Sequence, residues 1–198
     1  MRCSMRPGLL LLTAGLALLL ASGCARGDAA SGESSGLRQH GLGGDFALTD
    51  QDGKRFTLAR LRGKVVLLYF GYTLCPEACP MMMAKLVRVY QILGARAKDV
   101  EVVFVTIDPR RDTPSTLKGY LAFFRVPAIG LTGTREQIDE VVHRYGAKYQ
   151  ISDSKSAAGP LVDHSTDLYV VDPGGALHDT LAHESPPDRI AAAVAKLL

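Results

Sequence analysis

Two apolar runs dominate the hydrophobic pattern of this chain. Lys64 to Phe70 and Val100 to Ile107 are rich in β-branched residues and barely alternate, as strands covered on both faces do. A helix is predicted between them, from about Pro80 to Ala97. Strand, helix, strand is a βαβ unit, so the two strands should be parallel neighbours. Upstream, Asp45–Leu48 and Arg55–Leu58 flank Asp50-Gln51-Asp52-Gly53, a short N-terminal hairpin with a Gly-containing turn. Downstream, Thr113-Pro114 reads as an N-cap followed by proline at the first helical position, opening a helix to about Phe124. Thr134 and Gln137 form a capping box for a helix to about Tyr145. Asp167–Asp172 is a further strand, turned by Pro173-Gly174-Gly175 into a partner from Ala176 to Leu181. Ser185-Pro186 opens a last helix to Leu198. The order is α/β with a mixed central sheet.

The N-terminus follows another pattern. Arg2 and Arg6 precede an apolar core of 13 residues, Leu9 to Ala21. That is short of the ~20 residues a membrane-spanning helix needs and has the form of an export signal. It closes on Ala21-Ser22-Gly23-Cys24, which resembles a bacterial lipobox. There the signal is cleaved before the cysteine, which then carries lipid, so Cys24 is the candidate lipid anchor. Ordinary cleavage near Gly23, leaving Cys24 a free thiol, is the alternative. Residues 24–44 are rich in Gly, Ser and Ala and read as a flexible membrane tether. The expected organisation is therefore a lipoprotein-type signal over 1–23, the tether over 24–44 and one domain over 45–198.

This organisation changes the cysteine and charge counts. Of 4 cysteines, Cys3 leaves with the signal and Cys24 takes the lipid. Cys75 and Cys79 remain for the folded part, where an exported pair favours a disulfide or a metal site. Without Arg2 and Arg6, 21 Lys and Arg stand against 20 acids. Such a balance offers no basic surface for nucleic acid.

The chemistry concentrates in Gly71-Tyr72-Thr73-Leu74-Cys75-Pro76-Glu77-Ala78-Cys79-Pro80, immediately after the first buried strand. His164 follows Cys79 by 85 residues, in Val162-Asp163-His164-Ser165-Thr166. Two thiolates and an imidazole suit copper, and two close thiols can also cycle between dithiol and disulfide. Proline is costly inside a helix, so the helix is expected to start at Pro80, with Cys79 near its N-cap. Backbone N–H groups and the dipole there favour thiolate over thiol. Three residues separate the cysteines, one more than in thioredoxin-type reductases, which widens the loop enough to chelate a metal. In a thioredoxin-like sheet the segment entering the 167–172 strand lies beside the cysteine loop, and reductases carry a cis-proline in it. The absence of proline from Asp163-His164-Ser165-Thr166 favours an imidazole aimed at the sulfurs.

Other candidates carry less. Met81, Met82 and Met83 are soft thioethers, but successive helical residues lie ~100° apart, so core packing is their expected role, with one at the edge of the site. Asp108, Arg111 and Asp112 sit at the carboxyl end of a strand, where ligand crevices form; turn and capping chemistry is the alternative. Glu77 lies between the cysteines and either tunes their charge or solvates the loop. His40 lies in the tether, His143 on a helix without a matching ligand, and His178 and His183 read as surface residues.

Taken together, the chain resembles the Sco/SenC/PrrC family. The resemblance rests on the Gly71–Pro80 segment, Ile107-Asp108-Pro109-Arg110-Arg111-Asp112-Thr113-Pro114, Gly130-Leu131-Thr132-Gly133-Thr134-Arg135-Glu136 and Val162-Asp163-His164-Ser165. These run in the family's order and spacing and cover essentially everything from Gly44 onward, with Glu77 where the family usually has aspartate. The resemblance implies a thioredoxin-like fold that binds one copper ion per chain, as Cu(I) or Cu(II), through Cys75, Cys79 and His164. It implies a Cys75–Cys79 disulfide in the oxidised form. It also implies a metallochaperone role in assembling the CuA centre of cytochrome c oxidase, outside the cytoplasmic membrane. Its partners would be the CuA-bearing subunit and another periplasmic copper chaperone as donor, with no nucleic acid and no small organic substrate. A thiol–disulfide reductase serving the oxidase subunit's cysteines and a redox or copper sensor remain alternative functions. Peroxidase activity rests on fold class alone.

Overall fold

A computed structural model describes residues 41–152 and 161–198 of the chain. The readings of Cys3, Cys24, His40, the export signal and most of the tether lie outside the described residues. Those described fall within one compact unit, Ser34–Leu198. In chain order they form strands β1 (Ala47–Asp50), β2 (Arg55–Thr57) and β3 (Val65–Gly71), then helix α1 (Ala78–Leu93), β4 (Val100–Thr106), α2 (Pro114–Leu121), β5 (Ala128–Thr132) and α3 (Arg135–Arg144). Strands β6 (Tyr149–Ser152), β7 (Leu161–His164), β8 (Leu168–Val171) and β9 (Leu177–Leu181) follow, and helix α4 (Pro187–Ala195) closes the fold.

Seven strands make one mixed sheet in the order β2-β1-β5-β4-β3-β8-β9, and β6 and β7 make a separate two-stranded ribbon. β3 and β4 are parallel neighbours, as the βαβ reading requires, in a register that sets Gly71 opposite Thr106. β5 is parallel to β4, β8 is antiparallel to β3, and the predicted β1–β2 hairpin is antiparallel with Leu48 opposite Phe56. The hairpin joins the main sheet through β1 and β5.

The lack of alternation in β3 has a direct cause. Val66, Leu68 and Phe70 pack on one face with Ile138, Val141 and Val142 of α3. Val65, Leu67 and Tyr69 pack on the other face with side chains of α1, α2 and α4. Every residue of β3 is buried. A buried Val, Leu or Phe contributes roughly 1.5–3 kcal/mol, so this strand and its C-terminal end are among the best-anchored parts of the molecule.

Several boundaries differ from expectation. Helix α1 begins at Ala78, before Pro80. Pro80 is then the third helical residue, where the N–H has no intrahelical acceptor and proline is tolerated. α1 ends at Leu93 because Gly94 takes φ 56°, and a 3-10 turn, Gly94–Asp99, completes the predicted length. α2 stops at Leu121, and α4 starts at Pro187 because Pro186 is extended as its N-cap. The Thr134–Gln137 capping box is present in full, and Thr113 caps α2 by accepting from the Thr116 N–H. The β6–β7 ribbon has no counterpart in the sequence reading.

Candidate metal centre

The centre is built at the carboxyl ends of β3 and β4. Gly71 ends β3 against Thr106, and the Ile107 N–H donates to the Gly71 carbonyl at 2.9 Å. Asp112 ties the following loop to that frame. Its carboxylate accepts from the Thr73 N–H at 3.0 Å, the Thr73 hydroxyl at 2.5 Å and the Thr106 hydroxyl at 2.6 Å. The loop then turns, with the Cys75 N–H donating to the Tyr72 carbonyl at 3.1 Å. Cys75 is half-buried in the loop and Cys79 is fully buried in the first turn of α1, two residues after its N-cap, Glu77. The Cys79 N–H donates to Cys75 Sγ at 3.4 Å. Gly71 makes room for this: a Cβ there would stand 2.6 Å from Cys79 Sγ and 3.0 Å from the Phe104 ring.

His164 arrives from the other side, as the last residue of β7. Its Nδ1 lies 2.8 Å from the Ser165 carbonyl. A carbonyl only accepts, so Nδ1 carries a proton, and Nε2 is the ring nitrogen left to face the sulfurs. Nε2 points at the sulfurs, 3.9 Å from Cys75 Sγ and 3.8 Å from Cys79 Sγ. The ring stands edge-to-face against Tyr69 and Tyr72, with centroids 6.2 and 5.9 Å away. Ligating histidines usually have their other ring nitrogen satisfied in this way. Among the described residues, Cys75, Cys79 and His164 form the one group of three or more His, Cys, Asp or Glu whose ligand atoms lie within 4.8 Å of one another.

Comparison with known proteins agrees with this geometry. The family model described as SCO1/SenC matches residues 35–198. The chain belongs to the SCO1/SenC family. It is 40% identical over 135 residues to a SCO2-like protein of Rickettsia conorii, a match covering 68% of this chain and 66% of that one. The chain thus spans just under two thirds of that relative's length. The structure of Bradyrhizobium japonicum ScoI with copper bound superposes with a TM-score of 0.72 at 34% identity, covering 79% of this chain and 99% of the other. BsSco, described as a member of the Sco family of cytochrome c oxidase assembly proteins with a disulfide switch, superposes with a TM-score of 0.64 at 28% identity, covering 79% and 94%. The thioredoxin-like fold expected from the sequence is that of these SCO1/SenC neighbours.

The two thiols of this SCO1/SenC chain are unequal. Cys75 is held well below the ordinary thiol range, first by the hydrogen bond from Cys79, then by His164 and the N–H groups of Cys79 and Glu77, against the opposing effect of burial. Cys79 is pushed up, first by the same bond to Cys75 and then by burial. The pair therefore shares one proton: the buried thiol donates to the half-exposed thiolate. A metal ion bound there would displace that proton.

A cleft of about 580 Å³ leads to the thiolate, between the Cys75–Met81 segment and the 161–166 segment. Met82 and Met83 are in the core, and Met81, 43% exposed, lines the cleft. The expectation of two core methionines and one at the edge of the site is met. Glu77 is the N-cap residue of α1 without a side-chain capping bond, and it too faces the cleft. Asp108 is ion-paired with Arg111, and with Asp112 on the Thr73 loop both acids do turn and bracing work. His143 is exposed and lines a hollow of about 650 Å³ that Asp163 and His164 also border. His183 departs from the surface reading: it lines the cysteine cleft and its Nδ1 is buried without a partner. Its neighbours, Ala182 and Glu184, form no pattern that marks the position. Tyr69 and Tyr72, which box the imidazole, were not singled out either: Tyr69 looks like any other core residue of an apolar strand, and Tyr72 follows that strand directly.

Proposed function

We propose that the chain is a copper metallochaperone, with Cys75, Cys79 and His164 as the ligands of one copper ion. Copper is its cargo, not a substrate it turns over. The observation that carries this reading is the convergence of one imidazole nitrogen and two sulfurs, with S···N separations of 3.8 and 3.9 Å. First-row metal bonds of about 2.0–2.3 Å to nitrogen and sulfur, set at 120°, place neighbouring ligand atoms about 3.8 Å apart. The donor set fits as well, since soft thiolates with an imidazole select copper. Three ligands leave an open side toward the cleft, where an acceptor's ligands can attack. The recipient is the CuA-bearing subunit of cytochrome c oxidase, in line with the assembly role given for BsSco, and another periplasmic copper chaperone is the donor. The Cys24 lipobox supports export and lipid anchoring at the outer face of the cytoplasmic membrane. Among the described residues no helix is long and apolar enough to cross a membrane.

A second activity is favoured by the inequality of the thiols. A half-exposed thiolate at Cys75 backed by a buried Cys79 is suited to thiol–disulfide exchange, and oxidation would close a Cys75–Cys79 bridge with loss of two electrons and the one shared proton to a disulfide oxidant, which leaves as one thiol and one thiolate. Copper loading of the reduced protein separates the readings. Metal analysis is expected to give one copper per chain, with a thiolate-to-Cu(II) absorption, and the CuA-bearing domain should acquire that copper on mixing. A reduced protein that holds no copper against a weak chelator, yet reduces a disulfide in that domain, would leave exchange as the function.

A further inference from the structure

The mouth of the cysteine cleft carries charge of one sign. Glu77, Asp163 and Glu184 line it, all three exposed, and among the described residues no Lys or Arg does. None of the three has an ion-pair partner among the described residues. The whole chain has 23 Lys and Arg against 20 acids, so the imbalance is local. Apolar surface gathers at the same place. Of the seven large apolar side chains exposed among the described residues, Met81 and Leu161 line the cleft and Leu74 directly precedes Cys75. Exposed apolar groups rimmed by polar ones mark interaction surfaces.

Ligand exchange fixes what covers this mouth. An acceptor takes copper from Cys75 only by bringing its own donors into the cleft, and that contact strips water from the three carboxylates. A carboxylate buried without a counter-charge is strongly penalised. We infer that the copper acceptor docks on this cleft with a face of matching make-up, an apolar centre ringed by Lys and Arg. The inference rests on the chaperone reading for what the partner collects, and on the cleft itself for the partner's chemistry. Complementary charge acts chiefly on the rate of encounter and its dependence on salt. Leu74, Met81 and Leu161 supply the apolar contact that holds the encounter together.

Two reduced peptides are the probes. Both have a Cys-x-x-x-Cys core flanked by leucines; one ends in lysines and the other in glutamates. Each peptide is compared with itself across protein variants, so its own affinity for copper cancels. Glu184→Lys should slow Cu(I) transfer to the lysine peptide about tenfold at low salt and quicken transfer to the glutamate peptide, both effects fading in about 0.5 M salt. Glu140→Lys makes the same change of charge on α3, beside the β1–β2 hairpin, and gives up only an exposed pair with Arg144. It should move neither rate by more than about twofold. Indistinguishable effects of the two variants, or equal slowing of both peptides by Glu184→Lys, would overturn the inference. Without copper, the lysine peptide with serines for its cysteines should shift the amide resonances of Leu161, Asp163 and Glu184 in the reduced protein; shifts elsewhere, or none, would also overturn it. A wild type that holds no copper yet shows those shifts would retire the chaperone reading and leave the cleft a docking site for a basic partner.

Discussion

The cysteine wall of the centre stands on the middle of a seven-stranded sheet, whereas the histidine wall is a two-stranded ribbon outside it. Every residue of β3 is buried, and the loop it feeds is braced by three donors on Asp112. In β6 and β7 only Val162 is buried. Among the described residues the ribbon's bonds to the rest of the fold include the Val162 N–H to the Tyr72 hydroxyl at 3.3 Å, Arg135 to the Tyr149 hydroxyl at 2.7 Å, and the Tyr149 hydroxyl to Asp139. Segments with few buried contacts open at low free-energy cost. The contrast teaches how a carrier of the kind proposed could hold a metal firmly and still release it. The two candidate sulfur ligands are fixed by the core, and the candidate imidazole sits on an element with few buried residues.

The largest expected effect tests that inequality directly. Cys75→Ser or Cys79→Ser should lower Cu(I) affinity by on the order of a thousandfold or more, because the soft donors provide most of the selectivity for copper. His164→Ala should cost about tenfold to a hundredfold, the scale on which supporting groups tune a metal site. Competition against a chromophoric chelator measures both. Equal losses in all three variants would mean that the walls contribute alike, and the division into anchor and release would be wrong.

Packing gives the next step down. In Gly71→Ala the new methyl meets Cys79 Sγ at 2.6 Å and the Phe104 ring at 3.0 Å, and neither can retreat from a filled core. Overpacking of this kind costs typically ~1–3 kcal/mol. On the ribbon, Ile151 is 43% exposed, and Ile151→Ala should stay within ~0.5 kcal/mol of the wild type. Urea denaturation of the two variants, with the wild type alongside, compares a rigid wall with a tolerant one. A costless alanine at position 71 would show that the cysteine wall yields.

How much of this was legible before the fold was known follows the same division. The unbroken apolar runs of β3 and β4 announced strands covered on both faces, and the Thr134–Gln137 box fixed the start of α3. The convergence of the three candidate ligands was legible because cysteines are rare in the folded part and the prolines confine the two that it holds. The ribbon was not: Tyr149–Ser152 and Leu161–His164 are short, have one buried residue between them and are paired across eight intervening residues, so neither carries a hydrophobic period of its own. The start of α1 was misjudged because the cost of proline was applied to a first turn that escapes it. The hidden Nδ1 of His183 and the packing of Tyr69 against His164 depend on tertiary placement, which no local pattern encodes.

The most local expected effect probes what keeps the histidine wall in place. The Tyr149 hydroxyl accepts from Arg135 Nη1 and donates to Asp139, and the same Arg135 nitrogen also donates to the Ile107 carbonyl at 2.8 Å at the end of β4. Arg135 thereby links the frame under the cysteines to the ribbon that carries His164. Tyr149→Phe keeps the ring under the guanidinium, whose carbon lies 5.4 Å from the centroid, and removes only the hydroxyl. Because the site is partly exposed and water can replace the lost partner, the cost should be about 0.5–1.5 kcal/mol. That loss should fall on local opening of the ribbon and leave global unfolding nearly unchanged. Hydrogen exchange at the Ser165 and Val162 amides should quicken several-fold, while amides of β3 and β4 keep their wild-type rates. Copper transfer to an acceptor should quicken in parallel if ribbon opening gates release. Faster exchange across the whole sheet would instead show that the two walls open as one unit.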